Sequence, residues 1–303
     1  MVTILVAVYN GEKYLADLLD SLLNQTYKDI RIVVSDDKSS DKSAEIIKNY
    51  YEKYTDKIIP IFRDISCGSA KAHFMALLES FQDSEYVMFC DQDDVWFSDK
   101  VEKTLKLMQE GENESPRLVH TDAAISDEKL NITHKSLKAF SSIPKNLSFR
   151  KLLVENNVQG ASAMMNSALI KLAVPYDENI VMHDRWVALI AAAIGETKYL
   201  DEPTLLYRQH SKNEIGANIK PNSFEYIKKR LKTDIKGDIN LSRRQAGVLV
   251  DRIGDKMPRE LKKAAENYAL SENLSKLQRL KVMKNENIFP DAVLNKIKFI
   301  LWG

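Results

Sequence analysis

The sequence predicts an α/β fold: a mainly parallel sheet covered by helices on both faces, continued by an α-helical C-terminal extension. Three observations carry this expectation. Short, near-continuous apolar runs alternate with helix-period segments through the first half, the pattern of strands buried on both faces. Polar clusters follow those runs, at Tyr9-Asn10-Gly11-Glu12, Asp36-Asp37 and Asp91-Gln92-Asp93-Asp94, as they would where a ligand lies beyond the carboxyl ends of parallel strands. From Lys220 onwards clear strands disappear and 19 Lys and Arg face 10 Asp and Glu, although the whole chain carries a net charge of only +1.

The elements follow in order. Residues 2–8 form an almost wholly apolar run that reads as a fully buried strand. Residues 12–24 read as a helix with Leu15, Leu18, Leu19, Leu22 and Leu23 on one face. A second strand spans 29–35, a helix about 40–54, a third strand 57–62, a helix 69–81 and a fourth strand 85–90. Ser98 caps a helix running to residue 110. Strands near 117–125 and 160–165 enclose a helix around 149–155, and an apolar helix over 187–194 precedes a strand over 199–206. The extension reads as helices over 224–235, 241–254, 260–270, 272–283 and 291–301, with Pro258 and Pro290 at helix starts. Residues 1–219 then form the catalytic domain and 220–303 a basic helical addition.

Composition excludes several classes. A hydrophobic content of 44% is that of an ordinary globular chain. Cys67 and Cys90 are too few for a disulfide framework and are not spaced as a metal site. No apolar run approaches the roughly 18 residues of a membrane span, and the N-terminus lacks the basic region of a signal peptide. The expected compartment is the cytoplasm, at the inner face of the membrane if the extension meets lipid.

Asp91-Gln92-Asp93-Asp94 leaves the apolar run Tyr86-Val87-Met88-Phe89-Cys90, so a strand delivers these carboxylates to a sheet edge, where 91 and 93 share a direction. Carboxylates crowded in this way repel one another unless a cation neutralises them. Mg²⁺ and Mn²⁺ favour such oxygen ligands and also bridge diphosphates. Met182-His183-Asp184-Arg185-Trp186 opens the apolar helix, where an aspartate serves either as a cap or as a base. Trp186 reads as core or as a sugar wall.

With Thr3-Ile4-Leu5-Val6-Ala7-Val8-Tyr9-Asn10-Gly11, Val34-Ser35-Asp36-Asp37-Lys38-Ser39-Ser40-Asp41, His183-Asp184 and Tyr207-Arg208-Gln209-His210, these motifs occur in an order that resembles family 2 of the inverting glycosyltransferases. The likeness covers about residues 1–215 and is nearest in character to bacterial rhamnosyltransferase-type enzymes of polysaccharide assembly. It implies a GT-A-type, Rossmann-like fold and a nucleoside-diphosphate sugar donor, UDP- or dTDP-linked.

The resemblance also implies roles. Val8, Tyr9, Asn10 and Glu12 border the nucleobase and ribose, and Asp36 or Asp37 accepts from the imide N–H shared by uracil and thymine. Asp91 and Gln92 face the donor, Asp93 ligates Mn²⁺ or Mg²⁺, and His210 is a further metal candidate. Arg208 and Lys71 are candidate donor contacts, the latter near a helix that begins at Gly68. Gln159 and Gly160, opening a strand, edge the sugar or acceptor pocket. Asp184 is the general base. Asn10 is alternatively an N-cap, and Ser39, Ser40 and Asp41 are expected as helix caps.

The C-terminal segment Lys296-Ile297-Lys298-Phe299-Ile300-Leu301-Trp302 interleaves lysines with apolar residues, which suits either an anionic membrane surface or a bundle packed on the catalytic domain or on another subunit. Nucleic acid is not an expected partner; a glycan or lipid-linked acceptor is. Two other readings stand beside transfer: a nucleotidyltransferase, for which no Gly-rich pyrophosphorylase loop is present, and a catalytically silent glycan- or nucleotide-binding scaffold.

Overall fold

A computed structural model describes residues 1–112, 114–210 and 235–291, together with 296, 299 and 300. The helix expected over 224–235 and most of that over 291–301 lie outside the described residues.

The order is β1 (Val2–Val8), α1 (Leu15–Leu23), β2 (Ile30–Asp36), α2 (Ser43–Lys53), β3 (Ile58–Phe62), α3 (Ala70–Ser80), β4 (Tyr86–Asp91), β5 (Val95–Trp96), α4 (Lys100–Met108), β6 (Arg117–Ser126), β7 (Ile132–His134), α5 (Leu137–Ser141), α6 (Phe149–Leu152), β8 (Ala163–Asn166), α7 (Ser167–Ala173), α8 (His183–Ile194) and β9 (Glu196–Arg208). The extension contributes α9 (Ile235–Ile253), α10 (Arg259–Leu270) and α11 (Lys276–Asn285). The sheet order is β3-β2-β1-β4-β8-β6-β9-β5, with β7 paired to β6. Strands β1 to β4 are mutually parallel, β8 runs antiparallel between β4 and β6, and β6 and β9 are parallel.

Alternation along β1 explains the two layers of core. Val2, Ile4, Val6 and Val8 face α1, against Leu15, Leu18, Leu19 and Leu22, while Leu5 faces the opposite layer with α3, α7 and α8. Each of these fully buried side chains contributes about 1.5–3 kcal/mol relative to exposure. Leu23 is only half-buried at the rim of the first layer. The second layer also takes in Ala246, Leu249, Ile253, Ala264, Ala265 and Tyr268. The extension therefore shares the core of the sheet instead of forming one of its own. Trp186 lies in that layer, fully buried, its indole N–H donating to the Ala173 carbonyl at 2.9 Å, which makes it core and not a sugar wall.

Several local expectations need correction. The first helix starts at Leu15, not residue 12, because 12–14 form a turn closed by Tyr14 and Leu15 N–H groups on the Gly11 carbonyl. Asn10 does not cap that helix. It sits at φ 52° and its side chain accepts from Ser40 N–H. Ser98 is not a cap either: α4 begins after Asp99, and the Ser98 carbonyl accepts from Thr26 N–H. Helix α3 starts after Ser69, whose hydroxyl accepts from Ala72 N–H, so Gly68 lies outside it at φ 78°. Gly160 opens a 3-10 turn, Gly160–Ser162, and not a strand. The helix near 149 is one turn long. That expected over 272–283 begins only at Lys276, after a 3-10 turn.

Candidate active site

Register brings the motif residues to one edge. Val8 pairs with Asp36 and Ala7 with Asp91, so the ends of β1, β2 and β4 coincide. The loops beyond them are joined side chain to backbone. Gln92 pairs with the Tyr9 backbone in both directions, accepting its N–H at 2.8 Å and donating to its carbonyl at 3.0 Å. Gly11 permits this, because a Cβ there would lie 2.5 Å from the Gln92 oxygen. Ser39 accepts from Asn10 N–H, Ser43 from Gly11 N–H and Asp41 from Glu12 N–H, while the Glu12 carboxylate accepts from Lys42 N–H. Ser39, Ser40 and Asp41 thus stitch two loops together. None of them caps α2, which begins after Lys42 with no side-chain cap, although Asp41 accepts from Ser43 N–H. The Tyr9 ring projects outward, 58% exposed, as a face on which a base could stack.

The two acids after β2 differ. Asp37 accepts from Cys67 N–H at 2.7 Å and from the Ser66 hydroxyl at 2.8 Å. Burial pushes its carboxyl upward, but these donors outweigh burial and leave it below the usual range. Asp36 accepts from Ser39 N–H through Oδ2, whereas its buried Oδ1 has no hydrogen-bond partner. A buried acceptor left open in this way marks Asp36, not Asp37, as the one with spare capacity.

At the tip of β4, Asp93 Oδ2 lies 2.8 Å from His210 Nε2. The His210 ring stacks on Tyr14 at 4.6 Å, and the Tyr14 hydroxyl donates to Glu128. Arg208 is buried and braces the same loop: it donates to the Asp93 carbonyl, the Glu128 carbonyl and the Asp17 carboxylate, and its guanidinium lies 4.7 Å over Tyr14. Asp94 points inward. Neither of its oxygens has a partner of ordinary hydrogen-bond geometry. Burial first, then Asp93 and Asp91, hold its carboxyl well above the usual range; the Arg208 backbone N–H and Lys100 offset this only in part. Beneath it Lys100 is fully buried, donates to Thr204 and lies over Trp96, and burial pushes its ammonium down to about 7.

Across β4 lies Asp184, in the first turn of α8. His183, beside it, packs between Phe74 at 4.3 Å and Phe89 at 4.8 Å, and Phe89 is two residues from Asp91. Burial holds His183 down to about 3, with neither ring nitrogen hydrogen-bonded. Asp184 keeps a partly accessible edge although protein crowds its carboxyl. Burial pushes it up to about 6, against donation from Arg185 N–H, the Asn156 amide and Gly160 N–H. Gly160 is required where it stands, since a Cβ would meet His183 Nε2 at 2.6 Å. Lys71 does not project freely. Its ammonium donates to the Glu178 and Ile180 carbonyls and so ties down the segment leading to α8. Gln159 precedes the Gly160 turn, half-buried.

The structure thus gathers Val8, Tyr9, Asn10, Glu12, Asp36, Asp91, Gln92, Asp93 and His210 on one side of the β4 tip, and Gln159, Gly160 and Asp184 on the other. Sequence reasoning missed Tyr14, Glu128 and Asn156. Tyr14 falls within the predicted first helix, and the other two lie in loops with no local signature.

Residues 3–172 match the family described as glycosyl transferase family 2. The chain belongs to that family. A dTDP-rhamnosyl transferase of Shigella flexneri, RfbG, is 29% identical over 245 residues, 75% of this chain and 78% of its own length. A putative teichuronic acid biosynthesis glycosyltransferase of Bacillus subtilis, TuaG, is 33% identical over 110 residues, 36% of this chain and 42% of its own. Among solved structures, S. aureus TarS 1-349 in complex with UDP-GlcNAc superposes with a TM-score of 0.60 at 15% identity, covering 94% of this chain and 80% of that one. The mannosyltransferase PcManGT of Pyrobaculum calidifontis, in complex with GDP-Man and Mn²⁺, gives 0.53 at 13% identity over 99% and 87%. At such identities these likenesses speak for the fold, which is GT-A-like. This chain is therefore a family 2 glycosyltransferase that uses a nucleotide sugar. No helix among the described residues is long and apolar enough to cross a membrane.

Proposed function

We propose that this glycosyltransferase moves a rhamnosyl or hexosyl group, with inversion, from a dTDP- or UDP-linked donor to a hydroxyl of a cell-surface polysaccharide or a lipid-linked glycan intermediate. The observation that carries the reading is Asp184: a half-buried residue at the start of α8, whose carboxyl burial pushes up to about 6. A group of that basicity is ionised at neutral pH yet takes a proton readily. In the proposed step the acceptor hydroxyl loses its proton to Asp184 as its oxygen bonds the anomeric carbon. The bond from that carbon to the diphosphate oxygen breaks on the opposite face, and the nucleoside diphosphate departs.

The open Oδ1 of Asp36 supports a pyrimidine, since it can accept from an imide N–H. The kinship with RfbG favours a dTDP-rhamnose-type donor. Asp93 and His210 would hold Mn²⁺ or Mg²⁺. Among the described residues no three His, Cys, Asp or Glu side chains converge as a metal cage. Two protein donors are nevertheless a set that such ions accept, because phosphates and water commonly complete their shell. When bound, the ion would neutralise the departing diphosphate. Asp91 and Gln92 lie on the donor side; Gln92 acts there by holding Tyr9 in place. With their present partners, Lys71 and Arg208 act by holding loops.

Residues 1–219 carry the catalytic site in this reading. Phe299 is buried in the shared core layer, so the lysines of the segment at 296–302, mostly outside the described residues, are proposed to make peripheral contact with anionic membrane at the cytoplasmic face. Failure of the full chain to sediment with anionic liposomes at low salt would remove that part.

Transfer predicts that nucleoside diphosphate is released only when donor, acceptor and Mn²⁺ or Mg²⁺ are together. Pyrophosphate formed from a nucleoside triphosphate and a sugar phosphate would instead indicate nucleotidyl transfer. Donor binding without turnover under any acceptor would indicate a silent scaffold.

A further inference from the structure

Beside the tip of β4 stands an aromatic side chain that no motif marks. Tyr14 immediately precedes α1 and is only 9% exposed. Its ring meets the His210 imidazole face to face, with centroids 4.6 Å apart and planes 24° from parallel. Three contacts hold Tyr14 in place. Its N–H donates to the Gly11 carbonyl at 3.1 Å. Its hydroxyl donates to Glu128 Oε1 at 2.6 Å, and Lys13 pairs with the same carboxylate. The Arg208 guanidinium lies over the ring, 4.7 Å from its centre. Arg208 also donates to the Asp93 carbonyl at 3.0 Å and to the Asp17 carboxylate of α1 at 2.8 Å. One guanidinium thus ties the loop that carries Asp93 to the ring that faces His210. Just before His210, Gln209 N–H donates to the Ser126 carbonyl at 2.9 Å. That bond places the backbone, but a placed backbone still leaves an imidazole two side-chain torsions to choose. Tyr14 meets one face of the imidazole, and Asp93 Oδ2 lies 2.8 Å from Nε2 at its edge.

We infer that Tyr14 is a positioning residue for His210: its ring face sets the imidazole plane and keeps Nε2 directed at Asp93. The inference rests on the proposed reading of Asp93 and His210 as ligands of Mn²⁺ or Mg²⁺. An imidazole binds a metal through a lone pair in its own plane, so a ring that can tilt is a weaker ligand. Groups that orient a ligand in this way typically change metal affinity by about 10–100-fold. A Tyr14 that merely filled space before α1 would affect stability and leave that affinity alone.

The test follows binding of UDP and dTDP to the full chain as Mn²⁺ is raised, and reads the Mn²⁺ concentration that gives half of the tightening. Tyr14→Met fills comparable space without a ring face. It should raise that concentration by about tenfold or more, while nucleotide binding without the ion stays as in wild type. Tyr14→Phe keeps the face and should lie close to wild type. Tyr14→Leu also removes the face, with a smaller side chain, and keeps the test open if Tyr14→Met does not fold. A double-mutant cycle separates positioning from structure. With His210→Ala already in place, Tyr14→Met should add no further shift, because it acts through the missing imidazole. An unshifted Tyr14→Met, or the same shift with and without His210, would overturn the inference. His210→Ala with a wild-type dependence on Mn²⁺ would instead remove the ligand reading on which it rests.

Discussion

The two sides of the β4 tip are held together by different forces. On the donor side the loops after β1, β2 and β4 are joined by hydrogen bonds between short polar side chains and backbone, as in the Gln92–Tyr9 pair and the Asn10–Ser40 and Glu12–Asp41 contacts. On the base side His183 stands in an apolar layer with Phe74 and Phe89, its ring nitrogens without hydrogen-bond partners, and Asp184 lies beside it at the helix start. The first arrangement suits a surface that must meet a charged, well-hydrated ligand. The second keeps water from a carboxylate that has to remain basic. The comparison teaches that binding and proton removal are separable here, so each side should fail in its own way.

The largest expected effect falls on the base side. Asp184→Asn should lower kcat by about 10²–10⁴-fold, the usual span for a lost general base. Its stability should change in the opposite sense. The folded carboxyl is raised from 3.8 to about 6, so its contribution to stability is present below pH 3.8 and is lost as pH rises through 6. At pH 7 the variant should be more stable by about 1–3 kcal/mol in urea melts, an advantage that vanishes below about pH 4.

Next in size is acid sensitivity. His183 and His120 are each held down to about 3 by burial, from 6.5, so the unfolded chain takes their protons first. Their contribution is complete above pH 6.5 and falls by about 1.4 kcal/mol per histidine per unit toward pH 3. Denaturation midpoints measured from pH 7 to 4 should show this decline, and His183→Leu should make it shallower. Equal slopes in the two proteins would mean that His183 is not held neutral by its layer.

Gly160→Ala should cost about 1–3 kcal/mol in the same melts, because the added methyl meets a ring that Phe74 and Phe89 prevent from yielding. A wild-type midpoint would show that the corner is looser than its packing implies. The smallest effect belongs to the donor side. Gln92→Ala loses two partly exposed hydrogen bonds, about 1 kcal/mol. It should raise the donor KM several-fold and leave kcat nearly unchanged, the reverse of Asp184→Asn.

This contrast also explains what could be read beforehand. The strands of the parallel half are largely apolar, interrupted only by Thr3, Arg31 and Ser35 before their ends, and Tyr9, Asp36 and Asp91 stand at those ends, so the sheet edge and its polar residues are visible in one dimension. Strand β8 is only four residues long and runs against its neighbours, and β9 begins in mixed polar residues that announce no buried strand. The segment from Leu152 to Asn157 is tied down by Arg185 and Lys138, contacts that no local pattern encodes. Tyr14 lies within a helical pattern, where nothing in its spacing reveals that His210, 196 positions away in sequence, stacks on it. The extension looks separable by charge and period, yet its apolar faces complete a layer begun by α3 and α8.

The central claim is that the acidic tip of β4 binds the donor diphosphate while Asp184 serves only the acceptor proton. Calorimetric titration of UDP and dTDP, each with Mn²⁺, into wild type, Asp93→Ala and Asp184→Asn tests this directly. The account predicts that Asp93→Ala loses metal-dependent nucleotide binding while Asp184→Asn binds as wild type does. Equal weakening in both variants, or full binding by Asp93→Ala, would contradict it.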